Sequence, residues 1–103
     1  MAPAPVSEYR LSPAAQQDLE SIWDFTAQTW SPDQADSYLR GLAEKLTLLC
    51  ENPLIAQERA EIDPPVRLHP YKSHVIIYRV EADHLAVIRV AHMRQHWQRL
   101  IGD

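Results

Sequence analysis

The sequence predicts a small α+β domain of order β-α-α-β-β-β, in which an N-terminal strand and a long antiparallel helical hairpin pack on a C-terminal antiparallel sheet. Three observations predict it. Two Ser-Pro dipeptides, Ser12-Pro13 and Ser31-Pro32, each open a segment whose apolar residues recur at steps of three and four. The stretch Val66–His92 then holds β-branched and aromatic runs separated by short polar turns. Finally, 103 residues with 46% apolar and 23% charged side chains suit one modest core, so residues 1-103 are expected to form a single domain.

Val6–Leu11 alternates in polarity and is short, as a first strand would be. It stops at Ser12-Pro13, where a serine N-cap satisfies one orphan amide and proline at the first helical position removes another. Ala15, Leu19, Ile22, Trp23, Thr26 and Trp30 form the apolar stripe of the first helix, placing Trp23 and Trp30 toward the core. Ser31-Pro32-Asp33-Gln34 repeats the device, with Gln34 placed to complete a capping box. Ala35, Tyr38, Leu39, Leu42, Leu46 and Leu49 give the stripe of the second helix, and Asn52-Pro53 stops it, because the residue before proline avoids the α region. So short a connection folds the helices back on each other. Gly41 lies inside the second helix, either for close approach of another backbone or as a tolerated defect. Cys50 ends the pattern and is expected to pack as a small apolar residue.

Leu54–Pro65 has no clear period and reads as a connecting loop. Val66–Pro70 is a weak strand, Tyr71-Lys72-Ser73 a turn, and His74–Val80 a strong strand in which His74 and Tyr78 share a face and either pack or recognise. After Glu81-Ala82-Asp83, the near-continuous apolar run His84–His92 suggests an interior strand covered on both faces. Trp97 with Leu100 and Ile101 forms a small apolar latch beyond it.

Charge is segregated along the chain. Residues 1–65 carry four Lys/Arg against eleven Asp/Glu, whereas residues 66–103 carry six against three and all five histidines. Such a balance suits a basic sheet or C-terminal end that meets an acidic partner. No apolar run approaches the roughly 18 residues of a membrane span, and the start Met-Ala-Pro-Ala-Pro resembles a frayed tail more than a secretion signal. A cytoplasmic location is expected, and the single cysteine suits a reducing compartment.

With glycine only at 41 and 102, neither a phosphate-cradling loop nor a dinucleotide fingerprint can be built, and a nucleophile elbow is absent too. The histidines lack structural-zinc spacing, and His92 and His96 do not form a helical pair, so no metal or cofactor is expected. The sharpest local feature is His92-Met93-Arg94. A histidine there can exchange a proton near neutrality while an arginine holds phosphate, which is the chemistry of RNA cleavage. Alternatively, His92 caps a strand end and Arg94 pairs with an acidic neighbour.

In order and spacing, several segments resemble the ParE branch of the RelE/ParE toxin superfamily, over about Tyr9–Trp97. They are Tyr9–Ala15 with Asp18, Leu19 and Ile22; Ser31-Pro32 with Gln34, Ala35 and Tyr38; Asn52-Pro53; Arg67; Ser73–Arg79; and Ile88–Arg94. The acidic, proline-rich loop before Val66 departs from the pattern, since many relatives carry glycine and arginine there. The resemblance implies a toxin of a type II toxin–antitoxin pair that stops replication by inhibiting DNA gyrase through protein contact, and that a ParD-like antitoxin neutralises in a hetero-oligomer.

On this basis Arg67, Arg79, Arg89 and Arg94 are expected to receive acidic antitoxin residues, and the exposed sides of the helices an amphipathic antitoxin helix. His92, Arg94, Trp97 and Arg99 are expected to contact gyrase. The alternative is a ribosome-dependent mRNA endonuclease of the RelE type, with His92 as general acid or base and Arg94 as phosphate holder. The basic set of that branch is mostly missing here, and an acidic chain is a poor RNA binder, so no catalysis and no specific nucleic-acid binding by the free chain are expected.

Overall fold

The computed structural model describes residues 5–101, so the expected frayed start at residues 1–4 lies outside the described range. The elements are β1 (Tyr9–Leu11), α1 (Pro13–Thr29), α2 (Pro32–Glu51), β2 (Glu58–Arg59), β3 (Val66–Tyr71), β4 (His74–Val80), β5 (Leu85–His92) and a single helical turn, α3 (Trp97–Leu100). The strands form one five-stranded mixed sheet of order β1-β5-β4-β3-β2. The expected α+β architecture is therefore present. Additions to it are the two-residue β2 inside the supposed loop, the turn α3, and a parallel rather than antiparallel pairing of β1 with β5. No helix among the described residues is long and apolar enough to cross a membrane.

Both serine caps form. Ser12 Oγ accepts from the Ala15 amide at 2.9 Å and Ser31 Oγ from the Gln34 amide at 3.0 Å. Ser12 also docks its helix on the sheet: its amide donates to Val87 O at 3.0 Å and its hydroxyl to Ile88 O at 2.7 Å. The reciprocal bond of the capping box is absent among the described residues, because the Gln34 side chain lines a cleft instead. The first strand is shorter than expected; Val6 lies outside it, its amide donating to Cys50 O at 3.0 Å.

The sheet separates two apolar clusters. Facing the hairpin are Ala15, Ile22, Leu42, Leu46, Leu49 and Cys50 from the helices, with Ile76, Tyr78, Leu85, Val87 and Val90 from the strands. On the opposite face Val66, Val75, Ile77 and Ala91 are covered by Trp97, Leu100 and Ile101, so the expected latch closes the second core. This two-sided cover explains the near-continuous apolar runs of β4 and β5. Tyr78 resolves to packing: it is fully buried, and its hydroxyl donates to Pro53 O at 2.9 Å, tying the middle strand to the end of α2.

At Gly41 the close approach is by a side chain, Tyr71, and not by another backbone, which was one of the two expectations. A Cβ at this position would lie 1.9 Å from the Tyr71 hydroxyl oxygen, so the Tyr71 ring lies over the bare backbone of α2 and would have to shift to admit a side chain there. β2 pairs only with Val66 and Arg67, which leaves Leu68–Tyr71 as an open edge; Pro70, lacking an N–H, blunts that edge against pairing.

Candidate functional site

One expectation about the helical stripe is corrected at the hairpin tip. α1 ends at Thr29, so Trp30 leaves the helical register and stands 74% exposed instead of joining the core. Phe25, one turn earlier, is 69% exposed. Trp23 is half-buried, its indole N–H donating to Asp36 Oδ1 at 2.9 Å across the two helices. Phe25 and Trp30 overhang a largely apolar cleft of about 480 Å³ whose other walls include Ile22, Tyr38, His74 and His92. Two large exposed aromatics beside an apolar cleft form a surface suited to a partner.

The cleft floor is a linked aromatic set. The Tyr38 hydroxyl lies 2.7 Å from His74 Nδ1, and the His74 and His92 rings meet edge to face with centroids 5.4 Å apart. Burial, and then the nearby charge of His92, push the His74 imidazole below its ordinary pKa, while burial raises the Tyr38 phenol. His92 Nδ1 accepts the Arg94 amide at 3.1 Å, and the His92 amide donates to Gln95 Oε1 at 2.8 Å. His92 thus organises the turn after β5, while the acidic partner expected for Arg94 is not seen among the described residues. Ser21, Thr26, Gln34, Ser73 and His74 also line the cleft, but no lysine or arginine is among its described lining residues to hold a phosphodiester.

The four arginines expected to receive antitoxin do not form one surface. Arg89 is engaged internally: its guanidinium holds Asp18 of α1 through two bonds of 2.8 Å and donates to Leu100 O at 3.2 Å. That ion pair raises the Arg89 pKa. Arg67 donates to Ala56 O at 2.6 Å and faces Glu58 at 3.9 Å. Arg79 lies 3.8 Å from Glu81, with its Nε buried and without a hydrogen-bond partner among the described residues.

Arg67 and Arg79 share a cleft of about 420 Å³ near β2. Arg94 is exposed at the opposite end of the sheet, beyond His92, which pairs with His74. The five residue steps from His74 to Arg79 separate these ends by roughly 17 Å at ~3.3 Å per residue. Of the residues expected to contact gyrase, His92, Arg94 and Arg99 are exposed, while Trp97 is half-buried in the second core with Arg59 over its ring at 5.9 Å.

Besides Arg94 and Arg99, three further cations have no ion-pair partner among the described residues. Arg40, Lys45 and Lys72 line a groove of about 560 Å³ between α2 and the β3–β4 turn. Nothing in the local sequence distinguished them; the only signal was that Arg40 and Lys45 are two of the four cations in an otherwise acidic first part. No group of three or more His, Cys, Asp or Glu capable of holding a metal occurs among the described residues. Cys50 is buried and its thiol is raised by that burial.

Residues 9–97 match the family described as the ParE toxin of the type II toxin–antitoxin system parDE. The chain is 43% identical over 94 residues to Toxin ParE1 of Mycobacterium tuberculosis strains CDC 1551 and H37Rv, covering 90% of this chain and 96% of the relative. It is 33% identical over 94 residues to Toxin ParE1 of Caulobacter vibrioides, covering 91% and 97%. In fold it is similar to a chain of a chromosomal ParDE system from P. aeruginosa, with a TM-score of 0.73 at 20% identity over 85% of this chain and 96% of that one. With the family matched across the helical hairpin and the sheet alike, the chain belongs to the ParE toxins of type II toxin–antitoxin systems.

Proposed function

We propose that this ParE chain inhibits DNA gyrase by protein contact, has no catalytic activity of its own, and is held inactive by a ParD-like antitoxin. The observation that carries the reading is the cleft beneath Phe25 and Trp30. Its exposed surface is largely apolar, it lies at the end of the sheet where His74 pairs with His92, and its exposed aromatics gain from being covered. An amphipathic antitoxin helix supplies such a cover, laying apolar side chains at helical spacing into the groove.

Gyrase is contacted by the neighbouring C-terminal turn, where His92, Met93, Arg94 and Arg99 are exposed and Trp97 anchors the backbone on the second core. Because this turn adjoins the cleft through His92, an antitoxin in the cleft competes with gyrase for access. Arg89 supports this surface from below by joining α1, β5 and α3, and contacts neither partner. The test is competition: adding purified antitoxin should quench or shift Trp30 fluorescence and release the toxin from gyrase. A complex that leaves Trp30 solvent-exposed, or that forms simultaneously with gyrase, contradicts the proposed docking face.

A further inference from the structure

We propose that the groove between α2 and the β3–β4 turn grips an acidic segment of the antitoxin, with Arg40, Lys45 and Lys72 receiving its carboxylates. The inference rests on the toxin–antitoxin reading above and extends it to a second, electrostatic contact beside the apolar cleft.

The first argument is which charges are free. Arg10, Arg59, Arg67, Arg79 and Arg89 each have a carboxylate of this chain within 4.0 Å. Arg40, Lys45, Lys72, Arg94 and Arg99 appear in none of the ion pairs of the described residues, and of these Arg40, Lys45 and Lys72 open onto one groove, where Glu44 is the one acid among the described lining residues. In a chain of net charge −4, three uncompensated cations on one groove mark a place for an anionic partner. Their potential is felt locally, since Lys45 adds to burial in lowering the pKa of His69.

The second argument is the shape of the groove. Its long wall is a stripe of α2 from Ser37 to Leu48, about 16 Å at 1.5 Å per residue, long enough for several residues of extended peptide. Gly41 opens the middle of that wall to Tyr71. Lys72 stands at the end of the groove in the left-handed region, φ 51°, with its Nζ 5.6 Å from the Tyr38 ring centroid and 5.5 Å from that of Tyr71. Glycine is the ordinary occupant of such a backbone position, and lysine there carries strain.

The third argument is continuity. Tyr38 and Ser73 wall the apolar cleft, while Lys72 and Tyr71, beside them, wall the basic groove. One segment can therefore seat an apolar side chain beneath Trp30 and pass its acidic residues over the Lys72 turn into the groove.

The test is calorimetric titration of the toxin with a purified ParD-like antitoxin, at low and high salt. The variants are Lys45→Glu, Lys72→Glu, Lys72→Gly and Trp30→Ala, each checked by thermal unfolding. Each charge reversal should weaken binding at least about fivefold at low salt, with the difference shrinking as salt rises. Lys72→Gly relieves the backbone, so it should unfold no earlier than the parent while still binding more weakly. A synthetic peptide of the antitoxin's acidic segment should bind, and its version with Asp and Glu changed to Asn and Gln should not.

Parent-like affinity in both charge reversals, with Trp30→Ala weakened, overturns the groove contact and leaves the antitoxin reading standing. Failure of the parent to bind the antitoxin overturns both. Binding of a single-stranded DNA oligonucleotide to the groove, undisturbed by antitoxin, replaces the acidic peptide with a nucleic acid and also overturns the proposal.

Discussion

Arg89 on β5 and Asp18 on α1, 71 residues apart in the chain, meet in a two-pronged ion pair with both bonds at 2.8 Å. Asp18 Oδ2 also accepts the Val90 amide at 2.9 Å, just beyond the last residue of β5 that β1 pairs with, Val87. One carboxylate thus finishes the strand edge that β1 leaves open and fastens the first helix to it. Both side chains are mostly shielded, at 23% and 14% exposed, so solvent screens the pair little.

From that geometry, Asp18→Ala should cost about 2–3 kcal/mol, because it leaves a guanidinium and a strand amide without their acceptor. In a domain of this size the thermal midpoint should fall on the order of 10–20 °C. Arg94→Ala, exposed and in no ion pair of the described residues, should stay within about 0.5 kcal/mol of the parent. Calorimetric unfolding of both variants checks the contrast; an Arg89→Ala protein that is fully stable and loses only antitoxin affinity restores Arg89 to the contact surface.

Gly41→Ala should behave against helix propensity. Alanine in a helix interior is ordinarily about 1 kcal/mol better than glycine, but here the added methyl meets the Tyr71 hydroxyl and displaces a ring packed edge to face on Tyr38. The single variant should be destabilised by about 1 kcal/mol, whereas in a Tyr71→Ala background the same change should be neutral or stabilising. Denaturant melts of the four proteins in this cycle decide it; additive effects exclude the steric account.

Stability should fall as pH drops below about 6.5, the ordinary histidine value. Burial depresses the folded-state pKa of His74 and His69, so the unfolded chain binds more protons over the window between the ordinary and the depressed values. The contribution is complete above the unfolded pKa and is lost as pH falls through the folded one. Facing His74 are His92, whose charge opposes protonation, and Asp18, whose charge favours it. Thermal midpoints across pH 5 to 8 should show a slope that His74→Gln reduces; an unchanged slope in that variant assigns the effect elsewhere.

Trp30→Ala separates binding from folding. The side chain stands almost free of the core, so its loss should change stability by no more than about 0.5 kcal/mol. Antitoxin affinity should fall at least tenfold, the scale of an aromatic anchor at the centre of an interface. Titration beside a thermal melt checks both halves, and equal affinity removes Trp30 from the docking face.

The sequence carried the helices and their limits because Ser12-Pro13, Ser31-Pro32 and Asn52-Pro53 act locally, through caps and excluded conformations. The strands of the meander were legible from their β-branched and aromatic runs, which are also a local signal. What was not legible depends on contacts distant in sequence. β2 is two residues in an aperiodic acidic loop, and the parallel alignment of β1 has no local signature. The role of Arg89 is invisible without Asp18, and the exposure of Trp30 turns on where α1 ends within a one-residue margin. At the candidate site, His92 and Arg94 were found by residue type, but the free cations of the α2 groove were not. Being unpaired is a property of the folded surroundings and not of a lysine's neighbours in the chain.

On the proposed function, this toxin acts on another protein and not on RNA. The most direct measurement is a supercoiling and DNA-cleavage assay with purified gyrase, run beside a ribosome-dependent mRNA cleavage assay on the same toxin preparation. The account predicts loss of supercoiling that the antitoxin reverses and no cutting of mRNA. Unimpaired gyrase together with specific mRNA cuts that His92→Ala abolishes would contradict it.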